Sequence, residues 1–208
     1  MALVKYNNNS ISAITTAGTL ATGAMVLIKS ITASSSSTIS FVDGSSDVVL
    51  DNTYPIYLFE LINIHPQTDI VRVTFQGSTD GGSSYGVTAT TTNITAYHSE
   101  GGSSLLAYEG GNDQAQSTDE IRLQGGGLTG ADNDQSLCAK IFLFSPSNTT
   151  FVKHFSVRLH HSERSDYAES AFLAGYFNTT SAIDAMRFKC SSGNIAAGKI
   201  KLYGIKDS

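Results

Sequence analysis

The sequence predicts an all-β fold, an antiparallel β-sandwich of jelly-roll type with about ten strands, and three observations carry the prediction. Phe151-Val152-Lys153-His154-Phe155-Ser156-Val157-Arg158-Leu159 places Phe155, Val157 and Leu159 on one face and His154, Ser156 and Arg158 on the other. That period of two is the pattern of a half-buried strand. Leu137-Cys138-Ala139-Lys140-Ile141-Phe142-Leu143-Phe144 precedes it across Ser145-Pro146-Ser147-Asn148-Thr149-Thr150, where proline fixes φ and asparagine tolerates the left-handed region, so the two runs read as a hairpin. The composition repeats this style. The chain has 208 residues, 19 of them glycine, with 40% hydrophobic and only 15% charged residues, enough to build a core from short strands and many turns.

Taken in order, residues 1–24 are small and weakly periodic (Asn7-Asn8-Asn9-Ser10, Thr15-Thr16-Ala17-Gly18) and read as an N-terminal arm, either a leader or a segment that orders by docking. The β-domain then spans 25–208. Met25–Ile31 and Thr38–Val42 are strands, and Asp43-Gly44 supplies positive φ for a turn. Pro55–Ile64 is apolar on both faces and belongs in the middle of a sheet, closed by His65-Pro66. Ile70–Gln76 alternates as a half-buried strand. Short strands are expected at 94–98, 105–108 and 121–123, and 137–144, apolar on both faces, fits a sheet interior or a subunit contact. Strands at 171–177, 186–190 and 199–203 finish the chain, with residues 160–168 as a polar excursion before them.

The net charge of −5 and the lack of a basic cluster argue against nucleic acid, whose binding requires clustered Lys and Arg. No run is long enough to predict membrane insertion, and the first residues have no apolar signal-peptide core. Cys138 and Cys190 read as free thiols buried like small apolar residues, bridged only if their strands adjoin. The motif Gly82-Ser83-Ser84-Tyr85-Gly86 matches the nucleophile elbow, but β-branched residues follow where the elbow needs a helix. The five histidines lack metal-binding spacing and read as exposed strand residues, so no metal, cofactor or catalytic residue is expected. Asp132-Asn133-Asp134, like Asp80 before Gly81-Gly82, is a turn by its Asx chemistry, with calcium ligation the alternative. Tyr85 lies in the glycine-rich 77–86 tip. Tyr97, Tyr108, Tyr167 and Tyr176 fall near loops, where aromatic faces serve sugars or protein partners or simply pack along a strand edge.

Several segments carry a resemblance. Thr32-Ala33-Ser34-Ser35-Ser36-Ser37-Thr38-Ile39-Ser40-Phe41, Asn63-Ile64-His65-Pro66, Ser78-Thr79-Asp80-Gly81-Gly82-Ser83-Ser84-Tyr85, Asp132-Asn133-Asp134-Gln135-Ser136, Phe177-Asn178-Thr179-Thr180-Ser181-Ala182-Ile183, Ser191-Ser192-Gly193-Asn194-Ile195 and Ile200-Lys201-Leu202-Tyr203-Gly204-Ile205 resemble, in that order, bacteriophage virion structural proteins of marine bacteria and cyanobacteria. In those proteins the unit is often the C-terminal β-domain of a tail-fibre-like chain. The resemblance implies a non-enzymatic virion protein, assembled in the host cytoplasm and homotrimeric, that contacts other capsid or tail proteins and a host-surface glycan or receptor. The short leader, with no repetitive shaft, keeps a capsid decoration role open beside the fibre role. A free carbohydrate-binding module is the further alternative. Loops 77–86, 99–104, 125–135 and 160–168, carrying Asp80, Tyr85, Tyr97, Tyr108, Asp132, Asp134 and Tyr167 in or beside them, are then the expected outward-facing binding positions.

Overall fold

The structure, a computed structural model, describes residues 24–207, so the expected N-terminal arm lies, but for Ala24, outside the described residues. Twelve strands form: β1 (Met25–Thr32), β2 (Ile39–Val42), β3 (Ile56–Pro66), β4 (Val73–Ser78), β5 (Ala89–Ser99), β6 (Ser104–Tyr108), β7 (Ile121–Arg122), β8 (Leu137–Phe144), β9 (Lys153–Glu163), β10 (Tyr167–Phe177), β11 (Ala185–Cys190) and β12 (Ile195–Ile205). They pair antiparallel throughout, as an eight-stranded sheet β1-β12-β3-β8-β9-β10-β5-β6 and a four-stranded sheet β2-β11-β4-β7. The predicted all-β sandwich is therefore observed.

Its topology is that of a jelly roll. The strands β1-β12-β3-β8 face β2-β11-β4-β7, and along the chain β1 to β4 alternate between the sheets, as do β7, β8, β11 and β12. Two hairpins are inserted into this frame, β5–β6 between β4 and β7 and β9–β10 between β8 and β11. Both join the same sheet beyond β8 and double its width.

Inward-facing residues of the two sheets close a single core. Phe75 of β4 packs edge-on against Phe155 of β9 (centroids 5.3 Å apart) and near Phe177 and Phe188. Phe41, Phe59 and Phe188 form a second aromatic cluster beside it. All of these rings are essentially solvent-free, and each such side chain contributes on the order of 1.5–3 kcal/mol. Offset and edge-to-face contacts add about 0.5–1.5 kcal/mol per pair.

Three expectations need correction and one holds. Residues 73–78 are buried on both faces rather than half-buried, because loops 79–88 and 109–120 fold over the outer side of β4. The 137–144 run lies inside the sheet as expected, between β3 and β9, with Leu137, Ala139, Ile141 and Leu143 on the core face and Lys140 and Phe144 exposed on the other. The 160–168 excursion is no loop, since β9 and β10 continue through it to a turn at 164–166. The strand expected at 94–98 begins earlier, at Ala89, where Asn93 and Thr95 face inward as polar residues and hid the period.

Candidate functional site

The positions singled out from sequence do not converge. Asp80 organises its own turn: its carboxylate accepts from the Ser84 hydroxyl, from Ser84 N–H (2.9 Å) and from Ser78 Oγ (2.7 Å). The Ser84 hydroxyl, the Ser84 N–H and Ser78 together hold the Asp80 pKa down at about 2. The Ser84 of the elbow motif is thus a turn donor. Tyr85 lies beneath the guanidinium of Arg187, 4.2 Å from its ring centroid. Tyr97 and Tyr167 pack on each other, centroids 4.9 Å apart, and both are half-buried on neighbouring strands rather than standing on loop tips. Tyr108 is exposed on the edge strand β6 and its hydroxyl donates to Asp113. Tyr176 is half-buried beside His154. Asp132 and Asp134 are exposed on their loop, and among the described residues no group of three or more His, Cys, Asp or Glu is arranged to hold a metal ion.

The glycine loop after β7 is fixed by a buried polar cluster that sequence reasoning missed. Glu169 of β10 points inward and takes Gly125 N–H (2.9 Å) and Gly127 N–H (2.7 Å) on its two oxygens. Glu163 of β9 accepts from Leu128 N–H and Ser165 N–H. Between them His161, expected to be exposed, is buried: its Nδ1 lies 3.3 Å from Thr129 Oγ1 and its Nε2 lies 3.4 Å from Glu169, out of line for a hydrogen bond. Burial pushes the Glu169 pKa up, but the imidazole and the two backbone N–H groups outweigh it and hold the carboxyl below the ordinary value. A Cβ on Gly127 would sit 2.5 Å from both Glu163 Cγ and Glu169 Oε2, so only glycine lets the backbone approach these carboxylates. Each carboxylate thus takes one backbone N–H on each of its oxygens, and Glu163 also pairs with Arg164 Nε at 3.6 Å. The alternation of β9 placed His160 correctly on the exposed face, and the same alternation puts His161 inside; reading the segment as a loop hid it.

Two surfaces remain available. The outer face of the eight-stranded sheet carries a cross-strand row, Lys201–Glu60–Lys140–Arg158–Phe172–Ile94–Tyr108, charged along β12, β3, β8 and β9 and apolar along β10, β5 and β6. Further exposed apolar side chains are Met25 and Leu27 on the β1 edge, Phe144 at the end of β8 and Leu106 on β6, the last 74% exposed. The outer face of the four-stranded sheet, partly roofed by loops 79–88 and 109–120, is mainly polar, with Val42 at its β2 edge. It carries Arg72, Arg122, Arg187 and Lys189 around Gln76, Thr74 and Glu120.

The free cysteines lie apart, Cys190 buried on the four-stranded sheet and Cys138 on the eight-stranded sheet, where its Sγ contacts Asn63 at a bulge in β3.

No protein-family model matches the chain, and no curated protein matches it. Among solved structures, it is similar to a structural-genomics protein of unknown function from Bacteroides ovatus, at 6% identity and a TM-score of 0.27. The match covers 49% of this chain and 44% of that one, and likeness at this level carries no argument about role.

Proposed function

We propose that this is a non-enzymatic structural protein of a bacteriophage virion, a tail-fibre-like β-domain displayed on the particle surface and acting in host attachment. The observation that carries the reading is the widened jelly roll. Jelly rolls recur in viral capsid and lectin domains, and this one adds two hairpins whose main effect is to broaden a single sheet with an exposed, partly apolar outer face. Exposed apolar groups gathered on one face of a soluble domain favour assembly. In this reading the broad sheet packs against other copies in a closed homotrimer or against neighbouring capsid or tail proteins, and the opposite, polar face is turned outward. The use of Glu163 and Glu169 to hold backbone N–H groups of the glycine loop, and of Ser84 to hold the Asp80 turn, supports a binding role over a catalytic one. The fold lends the virion reading by analogy only, so the direct test is compositional. Gradient-purified particles of a phage encoding the chain are digested and their peptides quantified by mass spectrometry. Peptides in fixed stoichiometry with the major capsid protein are the expected result; their absence from particles, with abundance in the lysate, would overturn it.

A further inference from the structure

We propose that the outer face of the four-stranded sheet is a binding site for an oxyanion-bearing saccharide, with Arg72 and Arg122 receiving the anionic group. This rests on the displayed-domain reading only for where the ligand comes from.

The site is built by register. Thr74 of β4 pairs with Arg122 of β7 and with Lys189 of β11, while Gln76 pairs with Arg187. Arg72 lies just before β4, tied in place by reciprocal bonds between its backbone and Ser191. The two guanidiniums then converge on one amide oxygen: Asn112 Oδ1 accepts from Arg72 Nη2 (2.9 Å) and Nε (3.3 Å) and from Arg122 Nη1 (3.3 Å). Asn112 is itself buried and anchored to Gly125 O at 2.7 Å.

This arrangement leaves positive charge uncompensated. Among the described residues, neither Arg72, Arg122 nor Arg187 makes an ion pair, whereas Glu120 is engaged by Lys189 at 2.5 Å and by Thr74. Burial, and then the adjacent Arg122, pull the Arg72 pKa below its ordinary value, with Glu169 and Glu109 acting in the opposite sense at longer range. Two like charges held together over a neutral acceptor are stabilised by any anion that bridges them. Each guanidinium has five N–H donors, and Asn112 and Gly111 O use only part of them, which leaves the fork geometry that suits carboxylate, sulfate or phosphate.

The surroundings fit a sugar better than a polyanionic strand. Arg72 and Arg122 open onto a cleft of about 670 Å³ whose other walls include Gln76, Thr118, Ser191 and Asp119. Hydroxyl and amide groups there match sugar hydroxyls, and Asp119 and Glu120 accept from sugar O–H while repelling a continuous phosphate backbone.

The test is isothermal titration calorimetry on the full chain with three probes: trigalacturonate, a heparin-derived tetrasaccharide and neutral maltotriose. The expected result is that one or both charged probes bind at least about ten-fold tighter than maltotriose, with carboxylate or sulfate preference identifying the anionic group. Arg122→Gln, at an exposed position, should weaken that binding about ten-fold, and Arg122→Lys by less. Lys206→Gln, at an exposed position beside residues 52–55 and 145–150, changes the net charge equally and should leave it unchanged. Equal loss in Arg122→Gln and Lys206→Gln, equal affinity for maltotriose, or no binding by any probe would overturn the proposal. The assay uses isolated protein, so it can fail while the particle test succeeds, and the reverse.

Discussion

Glu169 shows how much of this molecule rests on single buried groups. Its carboxylate pins Gly125 and Gly127, and its pKa lies below the ordinary 4.5. A carboxyl depressed in the folded state adds stability that is complete above its unfolded pKa and is lost as pH falls through the folded one. Loop 125–130 should therefore loosen below about pH 4.5, before the core melts, and hydrogen exchange at Gly125 and Gly127 amides should accelerate there. Glu169→Gln removes the charge and sets an amide N–H against a backbone N–H, so it should cost about 2–4 kcal/mol in urea denaturation at pH 7. Lys153 is a second such group. Its ammonium is held below its ordinary pKa by burial and donates to the carbonyls of Phe151, Thr179 and Thr180, which ties the turn before β9 to the turn after β10. Neither role was legible in the sequence. Glu163, Glu169 and His161 occupy inward positions of strands, where ordinary patterning expects apolar residues, and the glycine-loop groups they hold, Gly125, Gly127, Leu128 and Thr129, lie more than thirty residues away in sequence. The Arg72–Arg122 pair was hidden for the same reason: each arginine is an ordinary polar position until the β4–β7 register sets them together.

At the scale of elements the patterning was far more informative. Strict alternation located β9, β11 and β12, and the Asp43-Gly44 and Asn148-centred turns fell where the sequence put them. What it could not show was pairing, because a jelly roll joins strands distant in the chain: β1 to β12 and β2 to β11. The inserted hairpin β9–β10 carries its own constraint. A Cβ on Gly175 would meet Thr90 O at 2.5 Å and Phe155 Cζ at 2.9 Å, so Gly175→Ala should destabilise by about 1–3 kcal/mol through overpacking, read as a lower urea midpoint with unchanged slope. Edge strand β6 behaves oppositely. Leu106 is open to solvent, and Leu106→Lys should shift stability by no more than about 0.5 kcal/mol. Combined with Phe172→Lys, it should dissociate the proposed homotrimer in sedimentation equilibrium; a mass equal to that of the unsubstituted chain would remove this face from any assembly.

Across the whole molecule, the two sheets present opposed outer faces of different chemistry. The eight-stranded sheet is broad, charged along β12, β3, β8 and β9 and apolar along β10, β5 and β6, and suits protein contact. The four-stranded sheet is polar, carries uncompensated arginines, and suits a ligand with hydroxyls and an anionic group. On the proposed virion these surfaces point in opposite directions, and a cryo-EM map of whole particles resolved well enough to orient the two sheets reads this out. The outer face of β1-β12-β3-β8-β9-β10-β5-β6 should be packed against another copy or a neighbouring virion protein, with the Arg72–Arg122 cleft facing solvent. A map with the cleft buried against the particle and the broad sheet bare would contradict this arrangement.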